Sequence, residues 1–160
     1  MTPFAWLIGF ILPACAAPGI ERLAAPTLMD LGRIERPATP NVAIAAPAGT
    51  QPAPDIVTPT YPAPAARLYA AVRSVAMARN RTFLAAEYPA EWQMHFVVRS
   101  AVLNFPDLVA AQVTESGPKS STLVLYSRSV YGYGDFGVNR ERLQTWLAAL
   151  QTKIDQPGER

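Results

Sequence analysis

The chain has 160 residues and a formal net charge of +2, enough length for one domain with extensions. So small a charge, without a basic stretch interleaved with aromatics, gives no basis for a nucleic-acid partner. One cysteine, Cys15, cannot form an internal disulfide, and with one histidine, His95, the pair cannot build a tetrahedral metal site. No metal and no cofactor are expected.

Residues 1–25 read as a signal peptide or membrane anchor. Phe4 to Ala17 is apolar and uncharged, with Trp6, Leu7, Ile8, Phe10, Ile11 and Leu12 at its centre. A bilayer span takes about 20 residues, whereas a signal-peptide core takes roughly 7–15. Ala14-Cys15-Ala16 supplies the small residues of a cleavage site. Leu12-Pro13-Ala14-Cys15 is similar to a bacterial lipoprotein box, which makes Cys15 a candidate for lipidation. Two departures stand beside that reading: Pro13 is unusual there, and no Lys or Arg precedes Glu21. An uncleaved shallow anchor running through Ile20 and Leu23 is the other reading. Either places the protein in the cell envelope, in contact with a membrane through its N-terminal segment or exported to the periplasm.

Residues 26–64 are rich in Pro, Ala and Thr. Prolines fix φ, lack a donor and bias the preceding residue toward extended backbone, so Pro52, Pro54, Pro59, Pro62 and Pro64 argue for an extended arm. Within it, Asn41-Val42-Ala43-Ile44 has apolar spacing suited to docking along a sheet edge. The arm is either a spacer holding the domain off a membrane or a partly packed cover.

Residues 65–154 form the expected domain. Ala65 to Asn80 is predicted helical, since Leu68, Val72, Val75 and Ala76 make one apolar stripe and Pro64 suits a first turn. Thr82 to Tyr88 is a predicted strand, followed by a Pro89-Ala90 turn. Glu91 to Arg99 alternates, with Trp92, Met94, Phe96 and Val98 on one face and Gln93, His95, Val97 and Arg99 on the other. After a loop from Ser100 to Pro106, Leu108 to Glu115 and Ser121 to Ser129 are strands joined by the turn Ser116-Gly117-Pro118-Lys119. A closing helix runs from about Gly137 to Lys153, with its stripe at Leu143, Trp146, Leu147, Leu150 and Ile154. Residues 155–160 read as a disordered tail. The fold class expected is α+β, a two-layer sandwich. A four-stranded antiparallel meander would carry both helices on one face, preceded by the hydrophobic leader and the Pro-rich arm.

In such a meander the second and fourth strands run the same way. Arg99-Ser100 then lies at the same sheet edge as Ser127-Arg128-Ser129, and Asp107 starts the third strand there. The closing helix begins nearby with Asp135, Asn139, Arg140 and Arg142. These ten residues are the candidate binding set. Two readings of the cluster stay open. One is an internal brace of ion pairs and caps, with Asp135 holding the free amides of the helix start. The other is a pocket for a small anionic ligand, with arginines and loose glycine amides suited to a phosphate or carboxylate.

Other signals carry less. Gly132-Tyr133-Gly134-Asp135-Phe136-Gly137 matches GxGxxG literally, but no further strand with an acidic residue follows and Asp135 would repel a pyrophosphate. Ser127 and Ser129 have no positioned base, so no catalytic residue is assigned. Tyr126, Tyr131 and Tyr133 are either ligand-stacking or wall-packing.

The run Ser127-Arg128-Ser129, Gly132, Asp135-Phe136-Gly137-Val138-Asn139-Arg140, Arg142 and Trp146-Leu147 resembles the bacterial domain of unknown function 1499. Arg99-Ser100, Phe105-Pro106-Asp107, Pro40-Asn41 and Pro47-Ala48-Gly49 add to it, and the resemblance covers about Pro37 to Leu150. It implies a bacterial protein with an N-terminal membrane segment or signal, and implies no activity, cofactor or catalytic residue. Relatives often carry cysteines near the Pro-Asn segment, where this chain has Ala43, Ala45 and Ala46. The function expected is a non-catalytic binding or interaction module of the envelope, its partner a small anionic ligand or an envelope protein. The alternatives are a small enzyme for a phosphorylated or carboxylated substrate, and a structural envelope component.

Overall fold

The computed structural model describes residues 13–156. The apolar centre of the leader, Trp6 to Leu12, and residues 157–160 of the tail lie outside them. Among the described residues, no helix is long and apolar enough to cross a membrane.

The elements in chain order are β1 (Val42–Pro47), β2 (Ile56–Thr58), α1 (Ala65–Met77), β3 (Thr82–Tyr88), β4 (Gln93–Arg99), β5 (Pro106–Gly117), β6 (Ser120–Ser129) and α2 (Val138–Asp155). They form one α+β unit with a single sheet in the order β2-β1-β6-β5-β4-β3. The four strands from β3 to β6 pair antiparallel in sequence, as short connections require.

The sheet nevertheless has six strands and is mixed, not four and antiparallel. Two strands come from the Pro-rich stretch. Residues 42–46 hold no proline, so their amides can enter a ladder. Val42 pairs with Arg128 and Ile44 with Tyr126, antiparallel to β6. β2 sits between Pro54 and Pro59, is three residues long and runs parallel to β1 at the sheet edge. A proline-bounded strand belongs at an edge, where missing donors cost nothing. The sheet-edge docking expected of Asn41 to Ile44 is what the structure shows.

Both helices cover one face, here called the inner face. Leu68, Val72 and Val75 of α1 and Leu143, Trp146 and Leu150 of α2 share one core with Met94, Phe96, Val109, Ala111, Val113, Leu123 and Leu125. The Phe96 and Trp146 rings meet edge to face at 5.6 Å. Met94 and Phe96 lie on the face that the sequence alternation gives them. The outer face has its own smaller core, built by Leu31 and Ile34 against Val42, Ile44, Ala46, Ala110 and Tyr126. Residues 14–34 thus cover part of the outer face as an irregular strap. The two-layer expectation left that face open.

Candidate functional site

The candidate residues do meet at one rim of the sheet, because β4 and β6 end where β5 begins. Arg99 pairs with Pro106, and Asp107 with Ser129. Successive side chains on a strand point to opposite faces, and that alternation divides the set. Asp107, Ser127 and Ser129 share the inner face with α2. Arg99 and Arg128 lie on the outer face.

On the inner face the polar groups close on one another. Arg142 and Asp107 form an ion pair, their side chains only 10% and 8% exposed. Arg142 also donates to Ser127 Oγ (2.9 Å) and to Asn139 Oδ1 (2.6 Å). Ser127 Oγ donates to the same Oδ1 at 2.5 Å. Asn139 is fully buried, and its Nδ2 donates to Asp135 Oδ2 (2.7 Å), Ser129 Oγ (3.0 Å) and the Asn41 carbonyl (3.1 Å). Asn41 in turn donates to the Gly132 carbonyl at 2.7 Å. One asparagine on the first turn of α2 therefore joins helix, β6 and the segment leading into β1.

Asp135 stands two residues before the helix N-cap, Gly137, and receives the amides of Gly137 (3.0 Å) and Asn139 (2.8 Å). It takes the capping role its position suggested. Burial by itself would raise its carboxyl; the amides of Asn139 and Gly137 and the Asn139 side chain outweigh that and hold it below its ordinary value.

On the outer face Arg99, 2% exposed, forms no ion pair with a carboxylate among the described residues. Its Nε and Nη2 donate to the Gly19 carbonyl at 2.8 and 2.6 Å, and its Nη1 to the carbonyls of Ala14 and Asn104. Desolvation lowers its pKa from the ordinary value. Asn104, from the loop after β4, adds bonds to the carbonyls of Cys15 (2.6 Å) and Ala17 (2.8 Å). An irregular strap cannot bond its own carbonyls in a ladder, so buried side-chain donors do it instead. Cys15 is buried here, with burial raising its thiol pKa.

The remaining members are apart from both groups. Ser100 closes its own loop, its Oγ accepting from the Phe105 amide at 2.9 Å. Arg128 and Arg140 are exposed. The rim therefore does not focus arginines on one point, as an anion pocket would need.

What is open at the rim is apolar. A cleft of about 590 Å³ lies between loop 100–105 and the glycine-rich loop 129–138. Val102, Leu103, Phe105, Tyr131, Phe136 and Val138 line it together with Asp107, Ser129 and Asp135. Phe136 is fully exposed, and Tyr133, on the same loop, is 74% exposed. Phe136 also has φ +54°, with Gly137 next to it at +82°. A bulky residue in the left-handed region carries strain that glycine would not. The sequence singled out the polar residues of this run and left its aromatics undecided. Their spacing shows neither helix nor strand period, so no local rule says which way they face.

Among the described residues, no group of three or more His, Cys, Asp or Glu is placed to hold a metal ion. Residues 35–150 match a family described as "Protein of unknown function (DUF1499)". No curated protein matches the chain. The match spans most of the sequence, and the chain belongs to this family.

Proposed function

We propose that this DUF1499 protein is a non-catalytic interaction module of the bacterial cell envelope, and that its working surface is the apolar cleft at the rim. The observation that carries this reading is Phe136. It is fully exposed, strained in φ and adds no burial to the fold. A side chain that costs stability without packing fits a contact made with something else. Val102, Tyr133 and Val138 extend the exposed apolar surface around it. Beneath them the Arg142–Asp107–Asn139 network fixes the helix start and the glycine-rich loop to the sheet, so the surface is presented on a rigid base. Two of the four candidate arginines are committed within the fold, Arg142 to Asp107 and Arg99 to strap carbonyls, and Arg128 and Arg140 are exposed apart from the cleft. An envelope protein offering apolar side chains is the partner this chemistry suits. The uncharged run from Phe4 to Ala17 supports delivery to the envelope. The intact mass of the membrane-fraction protein reports cleavage, retention or lipid on Cys15.

The test is a photo-cross-linkable phenylalanine at position 133 of the full chain in bacterial cells. A discrete adduct with one envelope component is expected, lost in Phe136→Gly and in Val102→Asp. No adduct, or adducts indifferent to both substitutions, would overturn the reading.

A further inference from the structure

The outer face holds a second opening, separate from the rim cleft. Two cross-strand ranks run over this face. His95, Ala110, Tyr126 and Ile44 make one; Val97, Leu108, Arg128 and Val42 make the next. Ala110 is the smallest side chain of its rank and lies between His95 and Tyr126, which leaves a notch. Strap residues 24–29 pass over it. The result is a cavity of about 250 Å³, lined by His95, Leu108, Ala110, Tyr126, Arg128 and Met29 among others.

Its polar groups are unlike those of the rim. Tyr126 is 5% exposed as a residue, but its hydroxyl oxygen is not sealed off and makes no hydrogen bond among the described residues. A hydroxyl that opens on a cavity without such a partner is free to bond what enters it. Arg128 likewise has no hydrogen bond or ion pair among the described residues, and it is close enough to Tyr126 to act on its hydroxyl electrostatically, as is Arg36. Arg36 is occupied by Asp55 at 3.0 Å. His95 is only 4% exposed and is oriented by Gln93. Gln93 Nε2 donates to the Met29 carbonyl, and its Oε1 accepts the Met29 amide, both at 2.8 Å. The 2.7 Å contact from His95 Nε2 to that Oε1 therefore has His95 as the donor. Tyr88 holds the strap at the Pro26 carbonyl, 2.8 Å away. The cavity thus has an apolar body, a tethered cover and a guanidinium and a hydroxyl without hydrogen-bond partners among the described residues.

We propose that this cavity binds a small monocarboxylate with an apolar body. Arg128 and the Tyr126 hydroxyl take the carboxylate, and Leu108, Ala110 and Met29 take the body. Small-molecule sites commonly pair an apolar lining with a few such polar groups, and a guanidinium fits a carboxylate in bidentate fashion.

The experiment titrates the full chain with octanoate, 1-octanol and inorganic phosphate by calorimetry, with amide shifts recorded alongside. Octanoate binds, and the shifts cluster at His95, Ala110, Tyr126 and residues 24–29. Octanol and phosphate each bind at least about tenfold more weakly, as loss of a charged hydrogen bond or of the apolar body requires. Arg128→Gln, at an exposed position, weakens octanoate by about tenfold or more while leaving the melting midpoint unchanged. Ala110→Val fills the notch and abolishes binding in a chain whose remaining amide spectrum is preserved. No octanoate binding, equal binding of octanol or of phosphate, or an Arg128→Gln chain that binds as well as the parent would each overturn the proposal. None of these results bears on cross-linking at position 133, so the two sites stand or fall separately.

Discussion

The two faces of this sheet are covered in different ways, and their polar residues differ accordingly. The inner face meets two helices whose stripes supply continuous apolar cover. The polar residues that face α2 gather at the rim where it starts and amides need partners. There they form a closed set around Asn139 and the Arg142–Asp107 pair. The outer face meets an extended strap with no ladder of its own. Its polar residues are spread along it as single anchors, with Arg99 at Gly19, Gln93 at Met29 and Tyr88 at Pro26. A helix brings its own hydrogen bonds to a sheet; a strap borrows them, and leaves gaps between the points where it does.

The comparison breaks most visibly if the inner pair is cut. Asp107→Ala leaves Arg142 buried without its carboxylate and is expected to cost about 3–5 kcal/mol in urea unfolding, because an uncompensated buried charge remains. A loss under about 1 kcal/mol would mean that the rim is not a brace. Cutting the outer anchor should act locally. Arg99→Gln is expected to speed amide exchange across residues 14–34 by roughly tenfold or more, with α1, α2 and the inner-face strands protected as before. Uniform acceleration would contradict the division between the faces.

A smaller effect sharpens the inner face. Asp135→Ala removes the acceptor for two amides and should cost about 1 kcal/mol at pH 7. The folded carboxyl lies below its unfolded value of about 3.9. Its contribution is therefore complete above that value and disappears as pH falls through the folded one. The melting gap between parent and variant should narrow toward pH 2; a constant gap would rule out the carboxylate as its source. The smallest effect is expected at Phe136→Gly. Relief of the left-handed strain offsets the added freedom of the unfolded chain, and no packing is lost, so stability should change by under about 1 kcal/mol. A loss of 2 kcal/mol or more would show that Phe136 packs in the fold and would remove the support for the rim cleft.

Regular elements were legible in the sequence because their periods are local. Alternation alone puts Met94 and Phe96 on one face, and a helical stripe gathers Leu143, Trp146 and Leu150; all five are in the core. β1 was visible only as a short apolar run, since proline-rich surroundings hide a strand whose partner lies more than 80 residues on, as Val42 and Arg128 show. The shared rim followed from topology. Its split follows from alternation rather than topology, since the period that places Phe96 inward places Arg99 outward. The strap was not legible: residues 14–34 have no period, and their ties are to Arg99, Asn104, Gln93 and Tyr88, far along the chain. A glutamine in the alternating run from Trp92 to Val98 was the available sign that something polar would lie over that face.

Ser127, Asp135, Asn139 and Arg142 hold the rim together with Asp107 as a coupled unit. A double-mutant cycle over Arg142 and Asp107, read by equilibrium urea unfolding, tests this most directly. Coupling of about 2 kcal/mol or more is predicted, so that the double variant is far less destabilised than the two single losses summed. Losses that add to within about 0.5 kcal/mol would show the two side chains acting independently, and the account of the rim as a brace would be wrong.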